Sequence, residues 1–287
     1  MASWQEELQE AKELFDSGIL SKEDFEQLRT EALRKREVLI SRGFTGQISD
    51  RIELILIPLG RFMMGALSDD DEALDEEVPR HEVEISRSFY AGKYPVTQKL
   101  WKEVMEDNPS YHDGDNHPVE KVSWLDCIRF CNDLSFLEGR TQAYTINGED
   151  VFCDWEANGY RLLTEAEWEY CARAEQNTLY SGSNDLNEVA WWGKNSGDET
   201  HPVGLKKPNH FGLYDMVGNV WEWCWDGMRD YSEEKQVDPK GNPDDSWRSF
   251  RGGSYCNFEE GSRVSFRVSS AKTYSRDNLG FRIGCNI

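Results

Sequence analysis

Aromatic residues restrict the possible folds of this chain more than any other feature. There are 11 Trp, 11 Tyr and 13 Phe in 287 residues, although the mean hydropathy is only −0.73. Because each aromatic side chain buries a large area, we expect a core of aromatic rings rather than of long aliphatic runs. Toward the C-terminus Gly, Asn, Pro and Trp dominate, and the first three specify turns. The sequence therefore favours short strands and ordered loops over a helical bundle.

The formal net charge of −22 restricts the possible partners. Binding to nucleic acid or to an anionic membrane depends on Lys and Arg contacts with phosphates, so we expect neither partner. We interpret most of the acidity as a solvated surface, with a basic ligand or a cation left open. No apolar run approaches the roughly 20 residues that span a bilayer, and the start MASWQEELQEAKELF is not a secretory leader. We expect a cytoplasmic protein, or a surface or secreted one if a leader has been removed.

The seven cysteines indicate buried thiols rather than a disulfide framework, because their number is odd and they are scattered. Cys127 and Cys131 are four residues apart and would share one face of a helix, as two metal ligands could. No second close pair follows them. We therefore interpret them as small apolar residues of the core.

Residues 1–42 have the pattern of a charged helical hairpin. Two apolar stripes recur at helical spacing, the first at Trp4, Leu8, Ala11, Leu14 and Phe15 and the second at Phe25, Leu28, Ala32 and Leu33. Between them DSGIL predicts a turn, and Ser21 with Asp24 predicts a capping box. The segment LFDSGILSKEDFEQL resembles the short SHOCT-type hairpins appended to larger domains. That resemblance implies an element for packing or for self-association.

From about residue 50 the pattern changes to strands, turns and short helices. IELILIPLGRFMMGA predicts two strands, and HEVEISRSFYAGKYPVT alternates as a half-buried strand does. Between them lies the acidic loop SDDDEALDEEVPR, which lacks the glycine and the spacing of an EF-hand and is interpreted as solvated surface. Helices are predicted in VTQKLWKEVME, after Ser123 as N-cap, and after the capping box of Thr164 and Glu167.

Seven sequence blocks in this region follow one order. They are GRFMMG, YPVTQKLW, HPVEKVSWLDCIRFCNDLS, YRLLTEAEWEYCARA, THPVGLKKPNHFGLYDMVGNVWEWCWD, RGGSY and NLGFRIG. In this order they resemble the formylglycine-generating enzyme, or sulfatase-modifying factor, family. The resemblance implies an α+β, C-type lectin-like domain over residues 50–287, with small antiparallel sheets, flanking helices and much of the chain in ordered loops.

The block LYDMVGNVWEW resembles the family's calcium loop. Two acids and two turn-forming residues lie within eight positions, and calcium prefers such hard oxygen ligands. The resemblance implies structural calcium held by the side chains of Asp215 and Glu222 and by the carbonyl groups of Gly218 and Val220. As an alternative, the two acids accept hydrogen bonds from backbone amides.

The reactive sulfurs of the family are missing. Its oxidase chemistry resembles one that needs two cysteines five residues apart, just after the GGS turn, to hold copper. Those places are Asn257 and Ser262 here, and Cys256 lies one residue early, where a strand would point it to the opposite face. The histidines also lack the spacing of an iron site. We therefore expect no copper, no iron and no catalytic residues.

What remains is a C-terminal segment, residues 255–275, rich in Tyr, Ser and Asn, the residue types of adaptable binding surfaces. The candidate binding residues are Tyr255, Asn257, Phe258, Ser262, Phe266, Val268, Ser269, Ser270, Thr273, Tyr274 and Ser275. They alternate with framework-like residues, and the arrangement resembles the variable proteins of diversity-generating retroelements. That resemblance implies a non-catalytic protein that displays variable residues between RGGS and GFR to a protein or other macromolecule.

Three alternatives stay open at this stage. The chain could be an oxidase or oxygenase of the sulfatase-modifying type with relocated catalytic groups. It could be a regulatory pseudo-enzyme of that family whose partner docks elsewhere. The segment itself could be an ordinary hairpin whose Phe and Tyr side chains lie in the core.

Overall fold

The computed structural model describes residues 10–15, 17–30, 52–148, 150–241 and 246–287. Its strands are β1 Leu54–Ile57, β2 Gly60–Met64, β3 His81–Ile85, β4 Phe89–Gly92, β5 Tyr144–Asn147, β6 Asp150–Cys153, β7 Tyr160–Leu162, β8 Trp221–Trp223, β9 Gln236–Val237, β10 Trp247–Arg251, β11 Arg267–Ala271, β12 Leu279–Phe281 and β13 Ile283–Asn286. The helices after residue 90 are α1 Gln98–Met105, α2 Trp124–Leu137, α3 Glu165–Arg173 and α4 Leu186–Val189.

The strands form small sheets, as the abundance of turn residues predicts. Their orders are β1-β4-β13-β7, β11-β10-β8-β12, β2-β3-β9 and β5-β6. Most pairs are antiparallel, whereas β12 with β8 and β3 with β9 are parallel. The two strands predicted in IELILIPLGRFMMGA are present, but β1 pairs with β4 and β2 pairs with β3. They therefore belong to two different sheets.

Each main helix begins at a capping residue, and the predicted caps Ser123 and Thr164 are confirmed. The hydroxyl of Thr97 accepts a hydrogen bond from a backbone amide at the start of α1. Ser123 with Asp126, and Thr164 with Glu167, form reciprocal capping boxes at the starts of α2 and α3. These bonds satisfy amide groups that the first turn of a helix leaves unpaired.

The core is aromatic, as the composition predicts. The rings of Trp101 and Phe130 stack with centroids 5.3 Å apart, and Trp225 lies 5.3 Å from both Trp124 and Tyr144. Cys127 and Cys131 are fully buried in the same hydrophobic cluster, which confirms their interpretation as core residues. All seven cysteines are free thiols.

The described part of the N-terminal hairpin agrees with its sequence pattern. Residues 10–15 and 22–30 are helical, and the rings of Phe15 and Phe25 stack 4.8 Å apart. The capping box is present, because Ser21 and Asp24 exchange hydrogen bonds through their amides and side chains. The predicted apolar positions Trp4, Leu8, Ala32 and Leu33 lie outside the described residues, and self-association through the hairpin stays a prediction. Within the described ranges, no helix is long and apolar enough to cross a bilayer.

Candidate ligand-binding face

The display segment, residues 255–275, runs from a turn after β10 to the end of β11 and the turn that follows. β11 is the edge strand of its sheet and pairs only with β10, from Arg251 opposite Arg267 to Trp247 opposite Ala271. A single turn of 3-10 helix, Glu259–Ser262, lies before it. The segment therefore combines two turns with one exposed strand edge.

Nine of the eleven candidate residues are at least partly accessible. Phe258 is 80% exposed, and Thr273 and Ser275 are exposed as well. The half-exposed candidates are Asn257, Phe266, Val268, Ser269, Ser270 and Tyr274. Three of these, Phe266, Val268 and Tyr274, also pack against the main hydrophobic cluster. They present only part of their surface to solvent.

Two candidate residues are buried, contrary to expectation. Tyr255 lies edge-on to His112 with ring centroids 4.9 Å apart, and its carbonyl oxygen accepts a hydrogen bond from Ser196. Ser262 is fully buried, and its hydroxyl lies so close beneath Gly253 that a Cβ there would be 2.8 Å from it. Tyr255 is covered by His112, which is distant in sequence, whereas Ser262 lies against the nearby turn at Gly253. Their prediction as surface residues is wrong.

The segment is held from below by buried arginines that sequence reasoning did not identify. Arg251 donates to the carbonyl oxygens of Val264 and Ser265 at 3.0 Å, and it pairs with the Glu169 carboxylate. Arg267 binds both oxygens of Glu165, at 2.8 and 2.5 Å. The side chains of these four residues, Arg251, Glu169, Arg267 and Glu165, are fully buried.

The two buried carboxylates of α3, Glu165 and Glu169, remain charged because of these arginines. Burial alone would raise the pKa of Glu165, and the guanidinium groups of Arg267 and Arg251 outweigh it and lower that pKa. The pKa of Glu169 is lowered in the same way, burial being outweighed by Arg173 and Arg251. The sequence contained one sign of this pairing, because Glu165 and Glu169 are four residues apart and therefore lie on one face of α3.

Two more arginines complete what we call the arginine framework, which consists of Arg251, Arg263, Arg267 and Arg282. Arg263 bonds both oxygens of Glu77 at 2.7 and 2.8 Å and reaches Asp70 at 2.7 Å. These two acids come from the acidic loop, which is therefore partly structural rather than wholly solvated. Arg282 follows the segment and binds Glu222. Each buried cation thus has a buried carboxylate partner.

The positions of the missing cysteines are occupied by polar groups with structural contacts. Asn257 donates its amide to the carbonyl of Ser254 at 3.1 Å and accepts a hydrogen bond from the Ser254 hydroxyl. Cys256 is exposed, and its sulfur accepts a hydrogen bond from Asn278 at 3.3 Å. Neither hydroxyl nor amide groups can supply the soft ligands that copper needs.

Of the two acids predicted to bind calcium, Glu222 is engaged by protein groups and Asp215 only in part. Arg282 engages both carboxylate oxygens of Glu222, at 3.1 and 2.8 Å, and Trp168 donates to one of them at 2.8 Å. Asp215 accepts a hydrogen bond from the amide of Gly204, and its other oxygen is buried without a partner among the described residues. No cluster of three or more metal-binding side chains occurs in the described ranges. Asp215 thus accepts from a backbone amide, as the alternative interpretation stated, whereas Glu222 binds side chains, and calcium binding stays a prediction.

Asp215 yields a prediction that also tests calcium. Burial raises its pKa to about 6, above the unfolded value of about 3.9, so its contribution to stability falls as the pH rises between these values. Asp215→Asn keeps an acceptor for Gly204 and removes the buried charge. We expect the variant to be more stable than the wild type by about 1–3 kcal/mol at pH 8 and equal at pH 4, measured by urea unfolding. A calcium-dependent stabilisation that is lost in the variant would contradict this.

Additional aromatic residues border the display segment. Tyr111 is 70% exposed and its ring lies 5.0 Å from His112, which in turn contacts Tyr255. Trp247 is exposed opposite Ala271 on the neighbouring strand. Sequence reasoning missed both, because nothing local distinguishes them from core aromatic residues.

Comparison with known proteins places this geometry in context. A family model described as the sulfatase-modifying factor enzyme 1-like domain matches residues 45–287. Chaperone protein LppX of Paenibacillus barcinonensis is 40% identical over 213 residues, which are 62% of this chain and 73% of that protein. The formylglycine-generating enzyme of Mus musculus is 33% identical over 230 residues, covering 73% of this chain and 55% of the enzyme. The chain thus spans about half the length of that enzyme.

Among solved structures, Treponema denticola variable protein 1 has a TM-score of 0.76 and 33% sequence identity. The match covers 82% of this chain and 95% of that protein. Together with the observed small sheets and flanking helices, this confirms the predicted fold. It also confirms the resemblance to a variable protein of a diversity-generating retroelement.

Proposed function

The chain belongs to the sulfatase-modifying factor enzyme 1-like domain family, and from this premise we propose that it is a non-catalytic binding protein whose C-terminal display segment contacts a macromolecular ligand. The single observation that carries the proposal is the separation of roles along residues 251–282. The buried residues of the arginine framework fix the backbone, and residues between them such as Phe258, Thr273 and Ser275 face solvent.

This separation is what a variable binding surface requires. Arg251 holds the carbonyl groups of Val264 and Ser265, and these bonds to the backbone do not involve the side chains of Phe258 or Thr273. Substituting an exposed residue that makes few contacts changes stability little, usually within about 0.5 kcal/mol. The exposed candidates can therefore differ between copies of the protein while the fold is retained.

The absence of the family's thiol pair supports the non-catalytic part of the proposal. Asn257 and Ser262 stand where the cysteines are expected, and the Ser262 hydroxyl is buried without a hydrogen-bond partner among the described residues. A relative is named as a chaperone protein and a structural neighbour as a variable protein. A chaperone also binds other proteins without oxidising them, so both names agree with a binding role.

The proposal predicts where natural variation falls. Copies of the gene from independent isolates should differ at codons for exposed candidates such as Phe258, Thr273 and Ser275. The codons for the framework residues Arg263 and Arg267 should not change. The measurement is sequencing of the gene and its flank, where we expect a near-copy of the 3′ end that differs at adenines and a neighbouring reverse transcriptase.

A different set of results would contradict the proposal. Identical codons in all copies, no near-copy of the 3′ end, and copper- or iron-dependent oxygen uptake with a cysteine-containing peptide would reject the proposal. That combination would favour the oxidase or oxygenase alternative with relocated catalytic groups.

A further inference from the structure

One exposed aromatic side chain and the carboxylates around it suggest what the display segment contacts. Phe258 is 80% exposed at the start of the 3-10 turn, where Glu259 and Glu260 follow it on the surface. An exposed ring of this size serves as an apolar anchor when a partner covers it. The adjoining carboxylates then determine which partners are compatible in charge.

The acidic character continues on the side of the acidic loop. Arg263 bonds Asp70 and Glu77, which ties that loop to the display segment next to the 3-10 turn. The remaining acids of the loop, Asp69, Asp71, Glu72, Asp75 and Glu76, are all exposed. Because Arg263 is itself buried and paired, its positive charge is neutralised and does not offset these acids at the surface.

A second group of carboxylates lies around Tyr255, at the other side of the segment. Asp198 is linked to Tyr255 through Ser196, whose hydroxyl accepts from the Asp198 amide and donates to the Tyr255 carbonyl oxygen. Asp277 follows Arg276 in a turn. The carbonyl oxygen of Arg276 accepts a hydrogen bond from the backbone amide of Lys121, the residue after Glu120. That bond brings Glu120 beside the same turn.

Glu120 is the buried member of this second group. One of its oxygens accepts hydrogen bonds from the amides of Tyr111 and His112, both at 2.7 Å. Its other oxygen is buried and has no partner among the described residues. Burial raises the pKa of Tyr255, and the charges of Asp277, Glu120 and Asp198 raise it further. Burial raises the pKa of Glu120 to about 7, so the carboxylates that a positive group of a ligand would meet here are Asp198 and Asp277.

Two of the positive groups on this surface have partners. Lys194 lies 3.8 Å from Glu259, and the Arg276 side chain hydrogen-bonds Tyr274. We propose that the ligand of the display segment is a protein with a basic contact surface, whose Lys or Arg side chains face these two carboxylate groups while Phe258 packs against its apolar part. This inference rests on the proposed function and adds the chemistry of the partner.

The test uses a library of random dodecapeptides displayed on phage and selected on the full-length protein. Peptides that bind the display segment are defined as those whose binding is lost with Phe258→Ala. We expect this group to be enriched in Lys and Arg relative to the unselected library. We also expect the double variant Glu259→Gln with Glu260→Gln to slow their association about fivefold at low salt and less at physiological salt.

A matched control separates local from global charge. Glu233→Gln with Glu234→Gln removes the same charge from another exposed loop and should leave association unchanged. Peptides that require Phe258 but show no Lys or Arg enrichment, or that respond equally to both double variants, would overturn the basic-partner inference and leave the proposed function intact. A selected pool indifferent to Phe258→Ala would instead reject the display segment as the binding surface, and both proposals with it.

Discussion

Arg251→Met is expected to lower the free energy of unfolding by about 3–5 kcal/mol, the cost of removing one partner from a buried ion pair. The substitution keeps an unbranched side chain but leaves Glu169 with one guanidinium partner fewer. It also removes the donors that bind the carbonyl oxygens of Val264 and Ser265. Urea unfolding followed by far-ultraviolet circular dichroism measures the change.

Arg61→Met is the matched control for this prediction. Arg61 also pairs with a glutamate, Glu84, at 3.0 Å, but its side chain is 62% exposed. Exposed ion pairs contribute up to about 1 kcal/mol, so the control should lie within that range. Equal losses in the two variants would show that the buried network does not hold the display segment in the way described.

Gly218→Ala is expected to lower the free energy of unfolding by about 2–5 kcal/mol. Gly218 has φ +73, where a residue with a Cβ costs about 1–2 kcal/mol. A Cβ at this position would also overlap the carbonyl oxygen of Trp191, and such overpacking adds about 1–3 kcal/mol. Thermal unfolding measures the combined effect.

Gly212→Ala separates the two causes. Gly212 has φ +84, but no atom lies within 4 Å of a Cβ placed there. Only the cost of the backbone conformation applies, so we expect a loss of about 1–2 kcal/mol. If Gly218→Ala lowers the free energy of unfolding no more than Gly212→Ala does, the close approach of Trp191 to Gly218 does not add to the cost of the substitution.

The local features of the fold could be predicted from the sequence because their causes are local. The capping boxes of Ser123 with Asp126 and of Thr164 with Glu167 depend on residues three apart, and both are present. The aromatic core could be predicted from composition, because 12% of the residues are aromatic and each ring buries a large area. The order of strands could not, since β1 and β2 are adjacent in sequence but lie in different sheets.

Several contacts at the candidate sites could not be predicted because they are made with residues far away in the chain. Glu222 was predicted to bind calcium, yet its partner is Arg282, and no local pattern around Glu222 announces that pairing. Tyr255 is of a residue type that is common at binding surfaces, but His112 covers its ring. Phe258, by contrast, was predicted to be exposed and is 80% exposed.

The arginine framework has a consequence for how this protein can change over time. Charged pairs beneath the display segment determine its backbone conformation. Its outward side chains therefore contribute little to folding. A collection of variants randomised at Phe258, Thr273 and Ser275 should therefore consist mostly of folded members. Such tolerance allows a lineage to explore many recognition specificities without first evolving a more stable ancestor.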